Sequence, residues 1–235
     1  MFVEKLSNTR QVALGRLFIA ALAILLLSAS AQAGFITIDP AGMNAIFSQE
    51  SFGDTPISIR FDPAIQIVAP QLLVINTPAD EQALLNLAPD PAPTVDAFFV
   101  DQINRCDQTE IEHYGCAQLP GHILWENSTA AELDAAVLMA HELGHNLDLL
   151  HFSSGLMSFF LPHGTELFDF QVEKILESPL LQTDPDGQKF ITIRPIAIVG
   201  APVTTPEPST LLLLSAALGA LLIANKNKIR ARLTK

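Results

Sequence analysis

His141-Glu142-Leu143-Gly144-His145-Asn146-Leu147-Asp148-Leu149-Leu150-His151 is the stretch on which the reading of this chain turns. His141 and His145 stand at i and i+4, so on a helix their imidazoles share one face and can grip one ion. Glu142 sits one residue round the helix, close enough to take a proton from a bound water without being a ligand itself. A continuous helix would carry His151 away from the pair, so the helix must end near Leu147 or Asp148 and turn for His151 to become a third ligand. Three neutral imidazoles with a fourth position open to water are the donor set of a catalytic zinc. In a chain with 6 histidines, His-Glu-x-x-His arises by chance about 0.008 times, and about 0.0002 times with a further His ten residues after the first. Upstream, Thr129-Ala-Ala-Glu132 has the spacing of a capping box, which predicts a helix from Thr129 to about Leu147 with Leu133, Ala136, Val137, Ala140 and Leu143 on its buried side.

The string from His141 to His151 resembles the metzincin zinc motif, His-Glu-x-x-His-x-x-Gly-x-x-His. Metzincins carry a methionine in a tight turn beneath the metal, and Gly155-Leu156-Met157-Ser158 sits where that turn is expected. The resemblance covers Thr129 to about Glu177. It implies an α+β fold: a twisted mixed sheet, a long zinc-binding helix packed behind it, a Met-turn at Met157, and a C-terminal helix over Leu167 to Glu177. It implies one catalytic zinc on His141, His145 and His151, and peptide-bond hydrolysis with Glu142 as general base. A protein or peptide substrate would lie extended along an edge strand near Gly121 to Trp125. One position departs from the motif: Asp148 replaces the usual Gly at the turn, and Asp is among the few other residues that tolerate positive φ. Two other readings stand beside this one. In a gluzincin-type peptidase the third ligand is a Glu on a later helix, for which Glu166 and Glu173 are the candidates; in a non-catalytic surface or matrix protein the zinc is structural, with His163 the nearest candidate for a fourth ligand.

Working outward, Asp39 to Glu50 suits a short helix, and Pro56 to Phe61 alternates as a strand. Ile65 to Val68, Leu72 to Ile75, Ala97 to Val100 and Gly121 to Trp125 read as further strands. Ala79 to Leu87 reads as a helix before the Pro-rich loop Pro89 to Pro93. Ile191 to Val199 reads as a late strand interrupted by Pro195.

Both ends of the chain look removable. Lys5, Arg10 and Arg16, the apolar run Leu17 to Leu27 and the small residues up to Ala33 have the order of a secretory signal peptide. The C-terminus reads Pro206-Glu-Pro-Ser209, an apolar run from Leu211 to Ala224, then Lys226, Lys228, Arg230, Arg232 and Lys235. It resembles the Pro-Glu-Pro sorting signal (PEP-CTERM) on exported proteins of Gram-negative bacteria. That implies processing by signal peptidase and an exosortase, a transmembrane helix that holds the chain transiently in the inner membrane, and a final place at the cell surface or outside. The expected organisation is a signal peptide over 1–33, a metallopeptidase domain over 34–200, a linker over 201–209, and a hydrophobic sorting helix with basic tail over 210–235. Between Gly34 and Thr205, 23 acidic residues face five basic ones, a balance near −18 that argues against nucleic acid as a partner. Export also lets Cys106 and Cys116 form a disulfide.

Overall fold

The computed structural model describes residues 36–89, 93–127 and 134–201. The signal-peptide stretch, the capping box from Thr129 to Glu132 and the proposed sorting segment lie outside the described residues. The chain divides between Ala201 and Pro202 into two compact units, and the second lies wholly outside them. Among the described residues no helix is long and apolar enough to cross a membrane.

The helices are α1 (Pro40–Phe47), α2 (Pro78–Leu85), α3 (Ala135–Asn146) and α4 (Asp169–Leu176). The strands are β1 (Ile57–Phe61), β2 (Ile65–Val68), β3 (Val74–Ile75), β4 (Val95–Val100), β5 (Gln102–Ile103), β6 (Gly115–Ala117), β7 (Ile123–Asn127), β8 (Gln182–Thr183) and β9 (Lys189–Val199). The strand expected from Leu72 shrinks to β3 because Pro70–Leu72 coils into a 3-10 turn.

The architecture is mixed α/β around a mostly parallel sheet of order β1-β9-β4-β7-β6, with β2 and β8 also paired to β9. Only β6 and β8 run antiparallel to their neighbours. Covering a parallel sheet on both faces requires apolar residues on both sides of its strands, and β4 is buried at every position. One face, with Val95, Ala97, Phe99, Leu124, Ile191 and Ile193, meets Met43 and Phe47 of α1 and Met139 and Leu143 of α3. The opposite face, with Phe98, Val100, Trp125 and Ile196, packs on Leu72, Ile75 and Leu84.

Three expectations change here. β9 runs unbroken through Pro195 in the middle of the sheet. Odd-numbered residues of β9 turn their backbone groups toward β1 and β2, as the bonds from Asp62 N–H to the Ile193 carbonyl and from Ala69 N–H to the Val199 carbonyl show. Pro195 falls between the residues paired with β1, which end at Ile193, and those paired with β2, which begin at Ile196. Its missing N–H therefore costs no ladder bond. Second, α4 is not the last element of the described residues, as the C-terminal helix implied by the resemblance would be: after it the chain returns through β8 to place β9 at the centre of the sheet. Third, Ile123–Asn127 is an inner strand between β4 and β6, so the edge beside α3 is β6 and not Gly121 to Trp125.

Candidate metal centre

Helix α3 begins at Ala135, where Asp134 caps it: the Asp134 side chain accepts from the Val137 N–H at 3.2 Å. An amphipathic stripe was expected, yet Ala136 to Gly144 and Asn146 are all buried. The helix is enclosed, as one buried all round requires, with the sheet and α1 on one side and the Met157 turn on the other. That enclosure explains Gly144 in the middle of the helix. A Cβ at that position would collide with the Met157 sulfur.

The helix ends as the sequence demands. Leu149 N–H donates to the Gly144 carbonyl at 2.9 Å, and Asp148 N–H donates to the His145 carbonyl at 2.9 Å. This pair of bonds is a Schellman motif, whose turn residue needs positive φ. Asp148 occupies that slot with φ of 66°. The turn redirects the chain so that His151 comes back over the helix. Downstream, Phe152 N–H donates to the Met157 carbonyl and Ser158 N–H to the Gly155 carbonyl, with Gly155 at φ of 71°. Met157, with no exposure, lies under the helix.

The three histidines converge. Nε2 of His151 lies 3.2 Å from Nε2 of His141 and 3.2 Å from Nε2 of His145. Their ligand atoms all lie within 4.8 Å of one another, and among the described residues this is the one group of His, Cys, Asp or Glu that could hold a metal ion. The backbone sets the tautomers: Nδ1–H of His141 donates to the Leu156 carbonyl at 2.7 Å, and Nδ1–H of His145 to the Leu149 carbonyl at 2.8 Å. Each bond leaves the Nε2 lone pair aimed at the cluster. Desolvation lowers His141 to about 3 and His145 to about 4, with smaller contributions from the neighbouring imidazoles, and it lowers His151 as well. All three are therefore neutral near pH 7, the form that ligates.

Glu142 is almost fully buried, and desolvation raises its carboxyl to about 8. It lies against the edge strand: a Cβ at Gly115 of β6 would stand 2.5 Å from Glu142 Oε1. Beside it is a residue that sequence reasoning passed over. Glu126 on β7 has no exposure, neither oxygen has a hydrogen-bond partner, and desolvation followed by the charge of Glu142 holds its carboxyl well above the ordinary range. Extending the expected strand by one residue would have put this acid on the inner face with Leu124, and an acid there is the signal. His163, the candidate for a fourth ligand, stacks on His141 with centroids 4.0 Å apart and planes 13° apart, but it does not join the converging set.

The rival ligands stay apart from the cluster. Glu166 and Glu173 are exposed and are not among the converging groups. Cys106 and Cys116 are joined, closing a loop whose far end is the edge strand itself. Exposed Phe159 lies 5.0 Å, ring to ring, from His151, and exposed Phe152, Phe160 and Leu161 continue that apolar rim. No family model matches this chain, and no curated protein or solved structure does either.

Proposed function

We propose that this protein is an exported zinc-dependent endopeptidase whose metal is held by His141, His145 and His151. The observation that carries the reading is the spacing of the three Nε2 atoms. Zinc–imidazole bonds of about 2.0–2.1 Å in a tetrahedron put neighbouring nitrogens about 3.3–3.4 Å apart. Two of the nitrogen pairs stand at 3.2 Å. Three protein nitrogens leave the fourth position to water or substrate, the pattern of a catalytic and not a structural site. When bound, zinc supplies a Lewis acid for the scissile carbonyl, lowers the pKa of the attacking water and favours the ionised form of Glu142.

The rest of the work falls to the chain. Glu142 accepts the proton of the attacking water and hands it to the leaving amine. The Leu149 and Leu156 carbonyls hold two ligands in the correct tautomer. Among the described residues no strand pairs with the outer edge of β6, which can offer backbone groups to an extended peptide, and the apolar rim from Phe152 to Leu161 suits bulky apolar side chains. The disulfide supports an oxidising compartment, in keeping with export. The test is Glu142→Ala. It should keep one zinc per chain while peptide hydrolysis falls about 10²–10⁴-fold, the usual contribution of a positioned base. Hydrolysis near the parent level with zinc retained would mean that another group serves as the base.

A further inference from the structure

Glu126 is a buried acid that this mechanism does not use. An ionised carboxylate in its place, with neither oxygen paired, would carry a large desolvation penalty, so the chain accommodates it as the neutral acid. A group kept at such cost, one side chain away from Glu142, calls for a role.

Its position follows from register. Glu126 pairs with Gly115 on β6 and with Phe99 on β4, so the three positions share the sheet face that α3 covers. Directly opposed residues of an antiparallel pair hold their Cβ atoms about 4.5–5.5 Å apart. Position 115 has no Cβ, and the space it would fill is taken by Glu142, whose Oε1 lies 2.5 Å from where that atom would stand. Gly115 therefore opens one shared space to two carboxyls, one from the helix and one from the sheet. Phe99 closes the other flank without a charge, and Glu142 is the charged group that acts on Glu126.

We propose that Glu126 is a positioning residue for Glu142: as a neutral carboxylic acid it supplies the O–H that holds the Glu142 carboxylate in its working orientation, through the gap left by Gly115. The proposal rests on the reading of Glu142 as proton acceptor, so its test has two arms that need no turnover. In the zinc-loaded full-length protein at neutral pH, the infrared carbonyl band of a protonated carboxyl should be present, and Glu126→Gln should remove it. The same band should shift in Glu142→Gln, because the acceptor of the Glu126 O–H has changed. A parent without the band, or a band indifferent to Glu142→Gln, overturns the proposal even if the enzyme is active.

The third arm is kinetic. Glu126→Gln, which keeps a donor, should hold kcat within about threefold of the parent. Glu126→Leu, which removes the donor but suits a buried strand, should lower kcat at least about tenfold with KM and zinc content unchanged, the signature of an interaction made in the transition state. If both variants lose kcat equally, Glu126 acts as an acid in the reaction and not as a positioning group; if Glu126→Leu matches the parent, it has no role in the site. A parent that binds zinc and shows the band but cleaves no peptide counts against the peptidase reading, and leaves the two infrared results to decide whether the carboxyls are coupled.

Discussion

The histidine side of the site is local, whereas the carboxylate side is assembled from distant strands. His141, His145 and His151 lie within one helix and its turn, and the carbonyls that orient two of them, Leu149 and Leu156, belong to the same stretch. Glu142 shares that helix, but its surroundings come from Gly115 on β6 and Glu126 on β7. The histidine cluster is thus encoded by short-range geometry and the carboxylate surroundings by sheet register. Each side can be damaged without the other, and that separation is what the predictions below test.

The largest effect is expected on the local side. On the proposed reading, His141→Ala, His145→Ala and His151→Ala should each prevent zinc binding and abolish peptide hydrolysis, because two remaining imidazoles cannot complete a three-ligand grip. Glu166→Ala and Glu173→Ala should leave zinc content unchanged. Metal analysis of the five purified variants decides it: a Glu166→Ala protein without zinc, beside a His151→Ala protein that keeps it, would replace the third ligand assigned here.

On the register side, Gly115→Ala should do the reverse. The added methyl meets Glu142 Oε1 at 2.5 Å, so the carboxyl must move while the histidines stay put. A displacement of about 1 Å in a catalytic group can lower kcat by about 10²-fold. Zinc content should not change. Parallel zinc and kcat measurements read this, and a Gly115→Ala enzyme with full kcat would show that the edge strand does not set the position of Glu142.

This division also explains what the sequence could tell. The ligand spacing, the buried Met157 and the positive φ of Asp148 are decided within a turn or two, so residue order alone exposes them. The longer strands were legible for the same reason, since alternation and Pro boundaries are local, whereas β5, β6 and β8 went unread because two or three residues are too few to show a period. Strand neighbours were not. Nothing near Ile123–Asn127 says that β6 lies outside it, and nothing near Pro195 says that β1 stops and β2 starts beside it. Glu126 stayed hidden because its meaning depends on such neighbours: an acid ending an apolar strand looks solvated until a helix and an edge strand are known to cover it.

A smaller effect should follow from the disulfide, which ties the far loop to the edge strand. Replacing Cys106 and Cys116 by Ser should cost about 2–3 kcal/mol of stability, as expected for a short closed loop. Because Cys116 follows Gly115 directly, kcat should suffer before zinc affinity does. Free-thiol titration of the parent protein should find none. Denaturation of the double Ser variant with an unchanged midpoint would show that the bridge constrains nothing that the sheet does not already hold.

The smallest effect concerns Asp148, where the local side bends. Its φ of 66° is a conformation that an L side chain adopts with some strain and that glycine adopts freely. Asp148→Gly should relieve that strain but enlarge the entropy of the unfolded chain, and the two effects partly cancel. It also removes the contact of 2.8 Å between Lys174 Nζ and Asp148 Oδ2; both side chains are more than two-fifths exposed, so the loss is worth roughly 0–1 kcal/mol. The net expectation is a change within about 1 kcal/mol, toward stabilisation, with zinc affinity and kcat unaltered because the Schellman bonds to Gly144 and His145 use backbone groups only. Raising salt separates the contributions, since it weakens the ion pair and leaves the backbone strain unchanged: the gain from Asp148→Gly should grow as salt rises. A loss of several kcal/mol, or a loss of zinc binding, would mean that the Asp148 carboxylate holds the turn itself, and the path that returns His151 to the other two histidines would then depend on a side chain and not on the helix end.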